Sequence, residues 1–123
     1  MAKAYDSNNI FAKILRGDIP CKKIYEDDTV LAFHDISPQA PSHILVLPKG
    51  AYVDMDDFTA KASDAEITGL FRALGKIARE AGLAEGGYRV ISNIGLDGGQ
   101  EVPHLHLHLV GGRKLGRMLQ PAE

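Results

Sequence analysis

The sequence predicts an α+β domain: a mainly antiparallel five-stranded sheet with one long and one short helix packed against it. Three observations lead there. Five short apolar segments bounded by turn residues read as strands, and only one segment holds helical periodicity over several turns. The connection from Asn93 through a loop to His104 is too short for a crossover helix, so those two strands should pair antiparallel. At 123 residues the chain fits a single domain, 1–123, that buries a core without disulfides.

Each element has a local cause. Ser7 and Asn8 are candidate N-caps for a short helix carrying Ile10, Phe11, Ile14 and Leu15, with Gly17 as its stop. Ile19-Pro20 breaks into a loop. Lys22 to Tyr25 and Val30 to His34 form a hairpin around Glu26-Asp27-Asp28-Thr29. The prolines of Asp35-Ile36-Ser37-Pro38-Gln39-Ala40-Pro41 stiffen the next turn, and His43 to Pro48 is a strand buried on both faces. Ser63 and Glu66 form a capping box at the start of the long helix. Its stripe is Ile67, Leu70, Phe71, Leu74, Ile77, Ala78 and Ala81, and Gly82 ends it. Gly87 to Asn93 is a fourth strand, followed by the loop Gly95-Leu96-Asp97-Gly98-Gly99-Gln100 and a histidine-bearing fifth.

A net charge of −2 argues against a broad grip on nucleic-acid polymers, while a small phosphate ligand on backbone N–H groups fits. The single Cys21 has no disulfide or CxxC partner, and no segment is apolar enough for a membrane span or leader. The cytoplasm is the expected compartment.

Pro103-His104-Leu105-His106-Leu107-His108-Leu109-Val110 carries the chemistry. Along a strand the three imidazoles share one face and the three leucines the other. A core needs the leucines but not three titratable rings, each with nitrogens that want partners. A solvated strand face would be served as well by threonine, lysine or glutamate. A metal site is strained, because a rise of roughly 3.3 Å per residue sets the outer histidines roughly 13 Å apart. Two could share a zinc with His43 or Asp35. Nucleophilic catalysis fits better: a neutral imidazole attacks phosphorus well near pH 7, and His106 has a ring on each side to orient or relay. The glycine loop can be an ordinary Asp97-Gly98 turn or a phosphate-binding nest.

On these residues the chain resembles the histidine-triad superfamily, whose signature is His-φ-His-φ-His-φ-φ. His104 to Val110 matches it position by position, followed by Gly111-Gly112-Arg113. The similarity extends to Phe11-Ala-Lys-Ile-Leu-Arg-Gly-Asp-Ile-Pro20, Glu26-Asp-Asp28, Ala32 to Pro41, His43 to Pro48 and Asp97-Gly-Gly-Gln100. It points to the nucleotide-binding (Hint) branch in its bacterial form.

That resemblance implies a HIT-like fold, a sheet extended across a homodimer, and purine nucleoside phosphoramidase activity without metal or cofactor. It implies that His106 attacks the α-phosphorus and expels an amine, with His104, His108 and His43 supporting it. Asp35 would bind the ribose, and Ile19, Phe33 and Ile36, with Phe11 nearby, the purine. Asn93, Gly99 and Gln100 would meet the phosphate and sugar. Glu101 stands where many animal members carry serine, and an ionised carboxylate cannot donate a proton to phosphate or leaving group. The tail, 114–123, has little similarity to animal relatives. The rival functions are a dinucleoside polyphosphate hydrolase and a nucleotide-binding scaffold with incidental turnover.

Overall fold

The computed structural model describes residues 4–119. The first three residues and the last four of the tail lie outside the described residues. The elements run α1 (Ile10–Leu15), β1 (Lys23–Glu26), β2 (Val30–His34), β3 (Ser42–Pro48), α2 (Met55–Lys61), α3 (Asp64–Glu80), β4 (Tyr88–Ile91) and β5 (Leu107–Gly111). The strands form one antiparallel sheet in the order β1-β2-β3-β5-β4, which places the histidine strand inside the sheet.

The sheet has two differently furnished faces. On one, Val30, Ala32, Ile44, Val46, Leu105, Leu107 and Leu109 pack against Leu70, Ala73, Leu74, Ile77 and Ala78 of α3. On the other, Leu31, Phe33, Leu45 and Leu47 pack against Phe11 of α1. The alternation along each strand therefore divides the chain into a core and a second, smaller cluster beside which the histidines lie.

Four differences from the sequence expectations have physical causes. The N-cap of α1 is Asn9, whose side chain accepts from the Ala12 N–H; Asp6 instead accepts from Asn8 through a turn of its own. A second short helix, α2, was not anticipated: its seven residues bury Phe58 and Asp57, too few to show a period. The stripe of α3 is narrower than expected, because Phe71 is 49 % exposed and Ala81 lies at the exposed C-cap. Regular strand covers only the second half of the histidine run, since Pro103 precedes it and the Leu105 N–H leaves the ladder to donate to the Tyr52 carbonyl. The capping box of Ser63 and Glu66 is present in both halves.

Candidate active site

His104, His106 and His108 do lie on the face opposite the leucines, yet each meets a different environment. His104 is fully buried. Its Nε2–H donates to the Pro48 carbonyl at 2.8 Å, since a carbonyl can only accept. Nδ1 is then a lone pair, and the Tyr5 hydroxyl donates to it at 2.6 Å. Burial holds this ring neutral and pushes its pKa down to about 4.

His106 hangs from the next turn of the chain. Its Nδ1–H donates to the His104 carbonyl at 2.7 Å, which fixes Nε2 as the unprotonated nitrogen. Phe11 stands edge-on to the ring at 4.8 Å between centroids, and His108 flanks it at 5.1 Å. Burial lowers its pKa; the bond to the His104 carbonyl and the carboxylates of Asp35 and Glu101 act in the opposite direction.

The tautomer of His108 is set from β3. The backbone N–H of Gln39 donates to Nδ1 of His43 at 3.0 Å, so His43 carries its proton on Nε2, and that N–H donates to Nδ1 of His108 at 2.9 Å. Neutral His108 must then present Nε2–H to the open side. Burial, followed by the charge of His106 and of His43, pushes its pKa down to about 4. Asp35 completes the cluster, with Oδ2 3.4 Å from Nε2 of His43 and Oδ1 accepting from the Ser37 N–H.

Asp35, His43 and His108 bring one potential metal ligand each within 4.8 Å of one another. The Gln39 N–H argues against a cation there: it occupies the Nδ1 lone pair of His43 and so leaves a proton, not a lone pair, on the nitrogen that faces the other two.

These groups line a cavity of about 580 Å³, large enough for a nucleotide. Its floor holds His106 and His108, its rim Asp35 and Glu101, and its inner end the apolar side chains of Phe11, Phe33, Leu45 and Val102. Of the residues read from the sequence, Phe33, Asp35, Ile36, His43, Asn93, Gly99, Glu101, His106 and His108 are in its wall. His104 is not, because it lies beneath His106 as a buried support. Ile19 is also absent; Ile10 and Ile14 of α1 take that side.

Gln100 is a strut rather than a wall. Its Nε2 donates to the carbonyls of Val53 and Val102, and its Oε1 accepts from the Gly95 N–H. The glycine loop likewise braces itself. The N–H groups of Gly99 and Gln100 donate to the carbonyls of Leu96 and Gly95, and Nδ2 of Asn93 donates to the Gly98 carbonyl. Those amides do not converge as a nest. Gly98 is required for another reason, since a Cβ there would meet the Ile94 carbonyl at 2.3 Å.

Four contributors are not marked as site residues by the sequence. Tyr5 gives no local signal, as its partner is 99 residues away. Gln39 acts through its backbone, although the prolines around it do mark a stiff turn. Ile10 and Ile14 looked like ordinary core residues of a helix.

Comparison with known proteins places the chain in a family. A family model for the HIT domain matches residues 16–115. A HIT-like protein of Azospirillum brasilense is 68 % identical over 119 residues, covering 97 % of this chain and 98 % of its own. The purine nucleoside phosphoramidase of Escherichia coli K12 is 49 % identical over 110 residues, covering 89 % and 92 %. Among solved structures, a histidine triad protein from Clostridium difficile superposes with a TM-score of 0.80 at 46 % identity, covering 95 % of this chain and 98 % of its own. A HIT family hydrolase from Clostridium thermocellum gives 0.83 at 39 %, covering 91 % and 97 %. Matched along most of its length in sequence and in fold, the chain belongs to the HIT domain family.

Proposed function

We propose that this HIT-type hydrolase is a purine nucleoside phosphoramidase, which cleaves the P–N bond of adenosine or guanosine 5′-phosphoramidates through a nucleotidyl-His106 intermediate. The observation that carries the proposal is the bond from Nδ1–H of His106 to the His104 carbonyl, which leaves Nε2 as a lone pair on the cavity floor. The similarity to the E. coli phosphoramidase supports the same reaction.

In the first step Nε2 of His106 bonds to phosphorus and the P–N bond breaks. The amine leaves with that electron pair and takes a proton from solvent at the open mouth. Nε2–H of His108 donates to a phosphoryl oxygen, and this stabilises the charge that develops there. In the second step water attacks phosphorus, the N–P bond returns its pair to Nε2, and the monophosphate departs as the water proton returns to solvent. Asp35 accepts from the ribose hydroxyls, and the slot of Phe11, Phe33 and Leu45, with Ile36 at its rim, takes the base. Asn93, Gly99 and Glu101 lie beside the phosphate, where the Glu101 carboxylate favours an amine over a second anion. Neither metal nor cofactor takes part.

The working unit we propose is a homodimer. β4 is an edge strand, and its α3-side residues Tyr88 and Val90 are 38 % and 42 % exposed. A second copy pairing there would cover both the edge and the apolar side chains. Cys21 is a free thiol, and no helix among the described residues is long and apolar enough to cross a membrane; cytoplasm is the setting proposed.

The test is AMP release from adenosine 5′-phosphoramidate by the wild-type chain and by His106→Ala of verified fold. Loss of several orders of magnitude is expected. Tight AMP binding without turnover in the wild type would favour a nucleotide-binding scaffold instead.

A further inference from the structure

Both displacements in the proposed reaction share one geometry. At a transferred phosphoryl group the attacking and leaving atoms stand roughly in line. Nε2 of His106 attacks from the cavity floor, so the amine departs toward the open mouth. Water must then displace Nε2 from the opposite side, and it enters where the amine left. The group beside that position meets the amine in the first step and the water in the second.

Two carboxylates stand at the rim, and they are held differently. Asp35 is engaged at both oxygens: Oδ1 accepts from the Ser37 N–H, and Oδ2 lies 3.4 Å from Nε2 of His43. Glu101 is exposed, and among the described residues no hydrogen bond or ion pair holds its carboxylate. Its backbone is nevertheless fastened on both sides. Nε2 of the preceding Gln100 donates to the Val53 carbonyl at 2.7 Å and to the Val102 carbonyl at 3.0 Å, and the His104 N–H donates to the same Val102 carbonyl. The result is a fixed main chain carrying a free acceptor, whose negative charge is felt at the His106 ring.

We infer that Glu101 is the general base of the second step, taking a proton from the water that attacks the nucleotidyl-His106 intermediate. This rests on the phosphoramidase proposal and assigns a catalytic residue within it. An ionised carboxylate accepts a proton but cannot give one, so it serves the entering water and not the departing amine. The water oxygen bonds to phosphorus, one of its protons passes to Glu101, and the N–P bond returns its pair to Nε2 of His106. The other water proton stays on the monophosphate, and the carboxylic acid of Glu101 then loses its proton to solvent at the mouth. Electrostatics favours this step over the first. In the intermediate the nucleotidyl imidazole is cationic and offsets the phosphoryl charge, so the carboxylate meets least repulsion there.

The test uses the full chain and the p-nitroanilide of AMP joined through a P–N bond, alongside the unsubstituted phosphoramidate. Nitroaniline is weakly basic and leaves fast, which makes the second step limiting. In Glu101→Gln, kcat should fall by roughly tenfold or more, while kcat/KM, which reports only the steps through P–N cleavage, changes less than threefold. Nitroaniline should appear in a burst equal to the enzyme present, and the nucleotidyl-enzyme should accumulate in the intact mass after a rapid quench. Formate should restore turnover to Glu101→Ala, where the vacated space admits a second carboxylate, and not to Glu101→Gln. Glu101→Asp should give an intermediate kcat, and it replaces either variant that fails to fold. Equal losses in kcat and kcat/KM, an unchanged kcat without accumulation of the intermediate, or an absence of formate rescue would overturn the role of Glu101 and leave the phosphoramidase proposal standing. Release of AMP from neither substrate by the wild type would overturn both.

Discussion

Leu105, Leu107 and Leu109 share one environment: each is at most 1 % exposed, in the core closed by α3. His104, His106 and His108, interleaved with them, share none. One is sealed between Tyr5 and Pro48, one hangs from a carbonyl beside Phe11, and one takes its proton pattern from β3. Packing asks only for volume and apolarity, so a uniform face results from a uniform sequence. Imidazole chemistry depends on which nitrogen carries the proton, and that is decided by whatever each ring happens to reach. The same alternation thus yields a redundant side and a differentiated one.

Leu109→Ala, on the redundant side, should destabilise the fold more than the other substitutions. It should lower the unfolding free energy by about 3 kcal/mol, read by urea titration, while AMP release by the folded fraction changes less than threefold. A collapse in turnover out of proportion to folding would break the division between the faces.

Acidification should act on the other side. Unfolded histidine titrates near about 6.5, whereas buried His104 titrates at about 4. Between these values the unfolded chain binds a proton that the folded chain refuses, so stability is complete above the upper value and falls as pH drops toward the lower. The loss from His104 should be on the order of 3 kcal/mol, with a smaller share from the less buried His108. Thermal melts at pH 7 and pH 4.5 check it, and His104→Gln should flatten the slope.

Tyr5→Phe should cost less, about 1–2 kcal/mol, by leaving Nδ1 of His104 buried without its donor. It should also lower kcat more than it raises KM, because the ring beneath His106 is loosened while the base slot is untouched. The ¹⁵N shifts of His106 report the tautomer directly. An unchanged tautomer and an unchanged kcat would confine Tyr5 to packing.

Strand β2 and the start of α3 were legible because their causes are local: a run of apolar residues, and a serine three residues before a glutamate. The histidine face was legible for a similar reason, since alternation is a property of neighbours. The roles within it were not. Gln39 acts through a main-chain N–H, which any residue but proline supplies, and Tyr5 reaches across nearly the whole chain. Gln100 lies in a motif associated with phosphate, yet its amide faces inward and ties the loop to Val53. A short helix such as α2, with one large apolar side chain buried, offers no period to detect.

The bond between His43 and His108 joins positions 65 residues apart. Pairings of such span close late in folding, because the loop entropy must be met before any contact rewards it. An unfolded chain therefore holds neither the oriented rings nor the adjoining carboxylate, and whatever the cavity binds, it binds in the folded form alone. A nucleotide at one hundred times its Kd would deepen the native well by roughly 2.7 kcal/mol. The cellular concentration of such a molecule would then govern the lifetime of the polypeptide against proteolysis as well as its turnover.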